Sequence, residues 1–223
     1  SAYKGNYLRK YKADDLSLLK GDSSLAKTDL KINSIYESPD GKYLITLGSD
    51  GIHIHDANTL KHLKHIDYKG TDNEPYCLSF TGDSKFFFIN NFWGKDIVKY
   101  ETASGKQIKK YEIAKTDIAK TIYDPKTKSL MVADFENIIR IADAESGKII
   151  KELPAQEAAF TDVEISPDSK YVIILNASHL LEMYKFPSME KILNIAVVRD
   201  QPNDIPFTDD NNYMEGKFHS KLL

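Results

Sequence analysis

Short runs of β-branched and aromatic residues alternate with polar positions along the chain, and no window carries the stripe of an amphipathic helix. Residues 32–36, 42–47, 52–55 and 61–66 are four such runs in succession, and they predict four short strands, here termed a, b, c and d. Between a and b stands Ser38-Pro39-Asp40-Gly41-Lys42; between c and d stands Asp56-Ala57-Asn58-Thr59-Leu60-Lys61. Both are turn sequences, because Pro presets φ, Asp and Ser bond their own backbone, and Gly accepts positive φ.

The unit repeats. The a–b turn returns as Thr81-Gly82-Asp83-Ser84-Lys85, Asp124-Pro125-Lys126-Thr127-Lys128 and Ser166-Pro167-Asp168-Ser169-Lys170, with a weaker copy at Thr208-Asp209-Asp210-Asn211-Asn212. Its starts fall at positions 38, 81, 124, 166 and 208, in steps of 43, 43, 42 and 42 residues. The c–d turn returns as Glu101-Thr102-Ala103-Ser104-Gly105-Lys106 and Asp143-Ala144-Glu145-Ser146-Gly147-Lys148. A looser copy runs from Lys185 to Glu190, and a first one stands at Lys12-Ala13-Asp14-Asp15-Leu16.

Four strands per period of this length make one propeller blade. The expected fold is therefore all-β: a single β-propeller domain over 1–223, with four-stranded blades at about 30–68, 75–113, 117–153 and 159–195. Residues 6–20 read as c and d alone, and 203–218 as a and b alone. Together they predict a fifth, composite blade in which the N- and C-terminal strands pair, leaving no open sheet edge. The alternative is a fragment of a seven- or eight-bladed ring.

In these turns the chain resembles the WD40-repeat and YVTN-type β-propellers, whose repeats carry a Ser-Pro-Asp-Gly-Lys turn between a and b and a Thr-Gly-Lys turn between c and d. It departs from regular WD40 blades in having no Trp-Asp dipeptide at the end of strand c and no Gly-His pair at the start of a repeat. The resemblance implies that the b–c and d–a loops share one face and that strand a begins at the ring axis. Asp72, Glu74, Phe92, Trp93, Phe135 and His179 then fall on the loop face and are the expected partner-binding residues. Trp93 is their centre, because Trp is among the residues most enriched at interface hot spots. Asn33, Lys120, Asp162 and Asp204 are expected to line a polar central channel. The function this implies is non-catalytic binding of a protein or peptide. The alternatives are a ligand-binding or enzymatic propeller using the channel, and a structural propeller of a larger protein, for instance in a bacterial envelope.

Composition narrows the partners. Lys+Arg 30 against Asp+Glu 33 gives a net charge of -3, without the basic surplus that phosphate backbones select, so nucleic acid is not expected. The longest apolar runs, such as 86–89 and 171–175, are far short of the roughly 20 residues of a membrane helix, and the chain is read as a monomer that does not span a membrane. Cys77 stands alone, which excludes an intramolecular disulfide and a Cys-based zinc site. The start at Ser1-Ala2-Tyr3, without Met, suits an exported, periplasmic protein after cleavage and leaves the cytoplasm open.

Candidate chemistry is sparse. His53 and His55 alternate on strand c with His62 on strand d, an arrangement that permits a metal. The matching positions are Val98, Arg140 and Glu182 for His53, and Tyr100, Ala142 and Tyr184 for His55, so no ligand set recurs. Half-exposed strand positions and no metal are the expectation. No carboxylate pair and no GxSxG nucleophile is nominated, so no catalytic residue is expected. Residues 142–148 faintly resemble a quinoprotein docking motif, but Lys151-Glu152-Leu153 stand where its closing Trp belongs, and no cofactor is expected.

Overall fold

The computed structural model describes residues 8–22, 32–67, 75–91, 93–155, 158–178 and 180–196. All regular structure among them is β. β1 (Leu8–Tyr11) and β2 (Leu18–Asp22) form a two-stranded hairpin. Four four-stranded sheets follow, each a meander in sequence order. The first contains β3 (Ile32–Glu37), β4 (Tyr43–Gly48), β5 (Gly51–Asp56) and β6 (His62–Asp67), and the second β7 (Pro75–Phe80), β8 (Phe86–Asn91), β9 (Asp96–Glu101) and β10 (Gln107–Glu112). The third contains β11 (Ile118–Asp124), β12 (Ser129–Asp134), β13 (Ile139–Asp143) and β14 (Ile149–Leu153), and the fourth β15 (Phe160–Ile165), β16 (Tyr171–Asn176), β17 (Leu180–Lys185) and β18 (Glu190–Ala196). These are the expected strands a to d of four blades, and β1 and β2 are the expected unaccompanied c and d. The expected partner strands near 203–218 lie outside the described residues.

The turns form for the reasons their sequences gave. In the first a–b turn the Ser38 hydroxyl donates to Asp40 (2.7 Å) and accepts from the Tyr43 amide (2.9 Å), while Gly41 takes φ 66°. Thr81 with Asp83 and Ser166 with Asp168 repeat this, with Ser84 and Ser169 at φ 59° in place of Gly. The hydroxyl bond holds the Asp40 carboxyl down at about 2, and Asp83 and Asp168 are lowered for the same reason. In each c–d turn the fifth residue bonds back to the first carbonyl with positive φ: Leu60 to Asp56, Gly105 to Glu101, Gly147 to Asp143 and Met189 to Lys185. Leu16 bonds to Lys12 in the same way, which marks the β1–β2 turn as the same motif.

Two further regularities tie each blade together. The amides of Ala57, Thr102, Ala144 and Phe186 donate to the carbonyls of Lys42, Lys85, Lys128 and Lys170, at 2.7–3.0 Å, fastening each c–d turn to its own a–b turn. A bulge then recurs at fixed places. Strand a shifts register between Ile32 and Ser34, Pro75 and Cys77, Ile118 and Lys120, and Phe160 and Asp162. The outer strand carries an extra residue at Leu63, Ile150 and Ile192, and at Leu19 of the hairpin, all of them exposed apolar side chains. An extra residue leaves the ladder and faces water, which accounts for these isoleucines and leucines.

The chain divides into two compact units, residues 1–93 with 97–110 and residues 94–96 with 111–223. In the first, Ile45, Leu47, Ile52 and Ile54 of one sheet form a core with Leu78, Phe87, Ile89, Val98 and Tyr100 of the next. The Phe87 and Tyr100 rings stack at 5.3 Å. Leu8 joins Leu60, with Ile32 and Leu44, so the β1–β2 hairpin is packed against the first blade. In the second unit, Met131, Ile139 and Ile141 pack with Val163, Val172, Ile174, Tyr184 and Phe186. Strands b and c are covered on both faces, and their near-continuous apolar runs reflect that burial. Among the described residues no helix is long and apolar enough to cross a membrane.

Candidate functional site

The loops between b and c carry Trp93 and Phe135, two of the expected binding residues. Trp93 is 53% exposed and holds φ 58°, a left-handed backbone that a large side chain occupies at a cost of about 1–2 kcal/mol. Phe135 opens the corresponding loop of the third blade and is 50% exposed. Its amide donates to the Asp117 carbonyl at 3.0 Å, and in the fourth blade Ala177 donates to Ala159 at 2.8 Å, so these loops are fastened to the entry of strand a. Asp72, Glu74, Phe92 and His179 lie outside the described residues.

Of the expected channel residues, Lys120 and Asp162 meet. They hold the same register position in successive blades, and the Lys120 ammonium donates to Asp162 and Glu164, both at 2.6 Å. Burial works against the charged lysine, but the Glu164 charge and the bonds to both carboxylates outweigh it and raise its pKa above the ordinary value. A lysine so held is no nucleophile. Asn33 is exposed and is the extra residue of its bulge, so Ser34 takes the position matching Lys120. Asp204 lies outside the described residues.

Four imidazoles gather on the first blade. His53 pairs across the strands with His65, and His55 with His62, although His62 and His65 are three apart and simple alternation would put them on opposite faces. The bulge at Leu63 brings them to one face. The His53 and His65 rings stack at 4.4 Å with an interplanar angle of 3°. Asp50, in the tight b–c turn, places Oδ2 2.8 Å from His53 Nε2 and 3.6 Å from His65 Nε2. The other ring nitrogen of His53 lies 3.1 Å from His62 Nε2. His53 and His55 are both buried, which corrects the expectation of half-exposed positions: strand c is an inner strand, covered on both faces.

No protein-family pattern and no curated protein sequence matches the chain. Solved structures do. Hydrazine synthase of Kuenenia stuttgartiensis superposes with a TM-score of 0.71 at 22% identity, over 84% of this chain and 55% of that one. The beta-propeller domain of Cps50 (Swd1) from Myceliophteria thermophila superposes with a TM-score of 0.68 at 11% identity, over 84% and 62%. The blades are those of a β-propeller. This chain thus spans less than two thirds of the length of either structure.

In this propeller the loops are shaped from within the blade, by residues the sequence reading passed over. Asp134 ends strand b of the third blade fully buried, and its Oδ1 accepts from the amides of Glu136 and Ile138. Its Oδ2 accepts from the fully buried Arg140, whose Nε donates to Glu152 at 2.8 Å. Asn176 shapes the fourth blade's loop identically, accepting from Ser178 and Leu180, without an arginine behind it. The buried Arg140–Asp134 pair fixes the loop that presents Phe135. The signal for it was an Arg at an inner-strand position, where charge persists only when paired.

Proposed function

We propose that this propeller is a non-catalytic binding module that presents its b–c loops, with Trp93 as principal anchor, to a protein or peptide partner. One observation carries the reading: an aromatic side chain more than half exposed is kept at a left-handed backbone position that a Gly would occupy more easily. Strain retained at an exposed aromatic points to a use outside the fold. Lys120, held by two carboxylates, and Asp40, Asp83 and Asp168, engaged in turns, fit a non-catalytic reading. Affinity capture from native extract, run in parallel with wild type, Trp93→Ala and the surface control Leu63→Ala, tests it. A species retained by wild type and the control but lost by Trp93→Ala supports the module; equal capture by all three overturns it.

Closure of the ring by its own ends belongs to the same proposal. The β1–β2 hairpin has the c–d turn and packs through Leu8 on the first blade, and residues 203–218 have the pattern of the missing a and b. Deleting residues 1–20 then lowers the melting temperature of the whole domain in one transition. An unchanged melting temperature removes closure. A second reading, a propeller domain built into a larger enzyme, is favoured by the likeness to hydrazine synthase; it predicts that binding survives Trp93→Ala.

A further inference from the structure

We propose that Asp50, His53 and His65 form a binding site for one divalent transition-metal cation of the zinc class. Asp50, His53 and His65 each offer one potential ligand atom, and the three lie within 4.8 Å of one another; it is the Nε2 atoms of both imidazoles that face the Asp50 carboxylate. Bonds of about 2.0–2.1 Å in tetrahedral geometry require ligand atoms about 3.4 Å apart. The separation of 3.6 Å between Asp50 and His65 is close to this, and the 2.8 Å between Asp50 and His53 opens by rotation of a short side chain on a turn. The exposed His65 ring, which lies parallel to His53 with Nε2 3.2 Å from the Asp50 carbonyl oxygen, turns out of the stack so that both nitrogen lone pairs meet one ion. Two imidazoles with one carboxylate is a donor set that borderline cations accept and that hard calcium or magnesium does not favour.

The site is supported from behind, which separates it from a chance meeting of surface groups. A ligating imidazole needs its second nitrogen occupied by a partner that fixes ring and tautomer. His53 has that partner in His62, 3.1 Å from Nδ1, leaving Nε2 directed at Asp50. His53 is buried and therefore fixed in orientation, while His65 is solvent-exposed and Asp50 partly so, which gives an ion a path of entry. Three protein ligands leave a fourth position of a tetrahedral ion for water or for a donor on a partner. The expectation of no metal rested on a ligand set that does not recur from blade to blade; the bulge at Leu63 and the turn at Asp50 gather one on the first blade.

Cobalt(II) is the probe, added to the full chain after chelator treatment, with visible d–d absorption as the readout and zinc as competitor. One equivalent binds with an intense, low-coordinate spectrum that zinc abolishes, and zinc raises the melting temperature. Asp50→Asn and His65→Gln change side chains that reach solvent, so the fold stays intact by circular dichroism, and each weakens cobalt binding by about 100-fold or more. His62→Gln, which leaves the three ligands in place, weakens it by about 10- to 100-fold. Absence of a saturable cobalt spectrum in the wild type overturns the proposal. So does an affinity unchanged in folded His65→Gln or Asp50→Asn, since the ion then sits elsewhere.

Discussion

The ring of Tyr111 occupies the space that a side chain on residue 147 would need: a Cβ built on Gly147 would stand 2.8 Å from Tyr111 Cδ1, while the Tyr111 hydroxyl donates to the Ala144 carbonyl at 2.8 Å. The last residues of a blade's outer strand are thereby set against the next blade's c–d turn. Burial, then the charges of Glu145 and Asp143, push the Tyr111 phenol up to about 12, so it stays a hydrogen-bond donor at any ordinary pH.

Gly147→Ala is expected to cost about 2–4 kcal/mol, because φ 80° strains any L residue and the hydroxyl bond prevents the ring from moving aside. Gly41→Ala, at φ 66° with its nearest neighbour at 3.7 Å, is expected to cost only about 1–2 kcal/mol. Urea unfolding of the two variants checks the difference, and equal costs would remove the steric part of the argument.

Trp93→Gly is expected to leave stability within about 0.5 kcal/mol of wild type. Relief of the left-handed strain and the greater freedom of an unfolded Gly oppose each other. As Trp93 is the protein's one tryptophan, the emission maximum of the folded wild type reports it alone and is expected to be that of a solvated indole. A loss of about 3 kcal/mol or more, with blue-shifted emission, would make Trp93 a core residue.

Arg140→Met is expected to destabilise the third blade by about 3–5 kcal/mol, since Asp134 is left charged and buried without its partner. Asp134→Asn keeps the cap on the loop amides, so the double variant Arg140→Met with Asp134→Asn is expected to recover most of the loss. A double-mutant cycle in urea measures that coupling; additivity would mean the pair does not act as one.

Acid acts on the a–b turns. The Asp40, Asp83 and Asp168 carboxyls lie below their unfolded value, so their stabilisation is complete above about pH 4 and is lost as pH falls toward about 2, where Asp40 takes up its proton. Carboxyl carbon shifts followed by NMR give the midpoint directly. Ser38→Ala is expected to raise the Asp40 midpoint; a wild-type midpoint near the ordinary aspartate value would show that the hydroxyl bond does not form in solution.

The blades were legible because each turn announces itself with residues whose local hydrogen bonding is self-contained, such as Ser38 with Asp40. The histidine site was half legible. His53 and His62 were singled out on alternation, but His65 was not, because a bulge at Leu63 reverses the parity of the outer strand and nothing in a side-chain period of two announces an extra residue. The same limitation misplaced Asn33 by one position against Ser34. Asp134 escaped notice for another reason: an acid at a loop entrance reads as solvated, and only Arg140 two strand positions beyond the turn shows that it is not.

The bond from each c–d amide to the carbonyl of Lys42, Lys85, Lys128 or Lys170 is made by backbone alone. It therefore prescribes the number of residues in both turns but not their side chains, and the exposed lysine–aspartate contacts at 3.1–3.6 Å beside it add little. The b–c connections obey no such count: they run from the two-residue turn at Ser49-Asp50 to the longer stretch holding Trp93. Homologous chains should accordingly be gap-free at the a–b and c–d turns and ragged at the b–c connections, and foreign peptides grafted into this protein should be accepted after strand b and rejected after strands a and c.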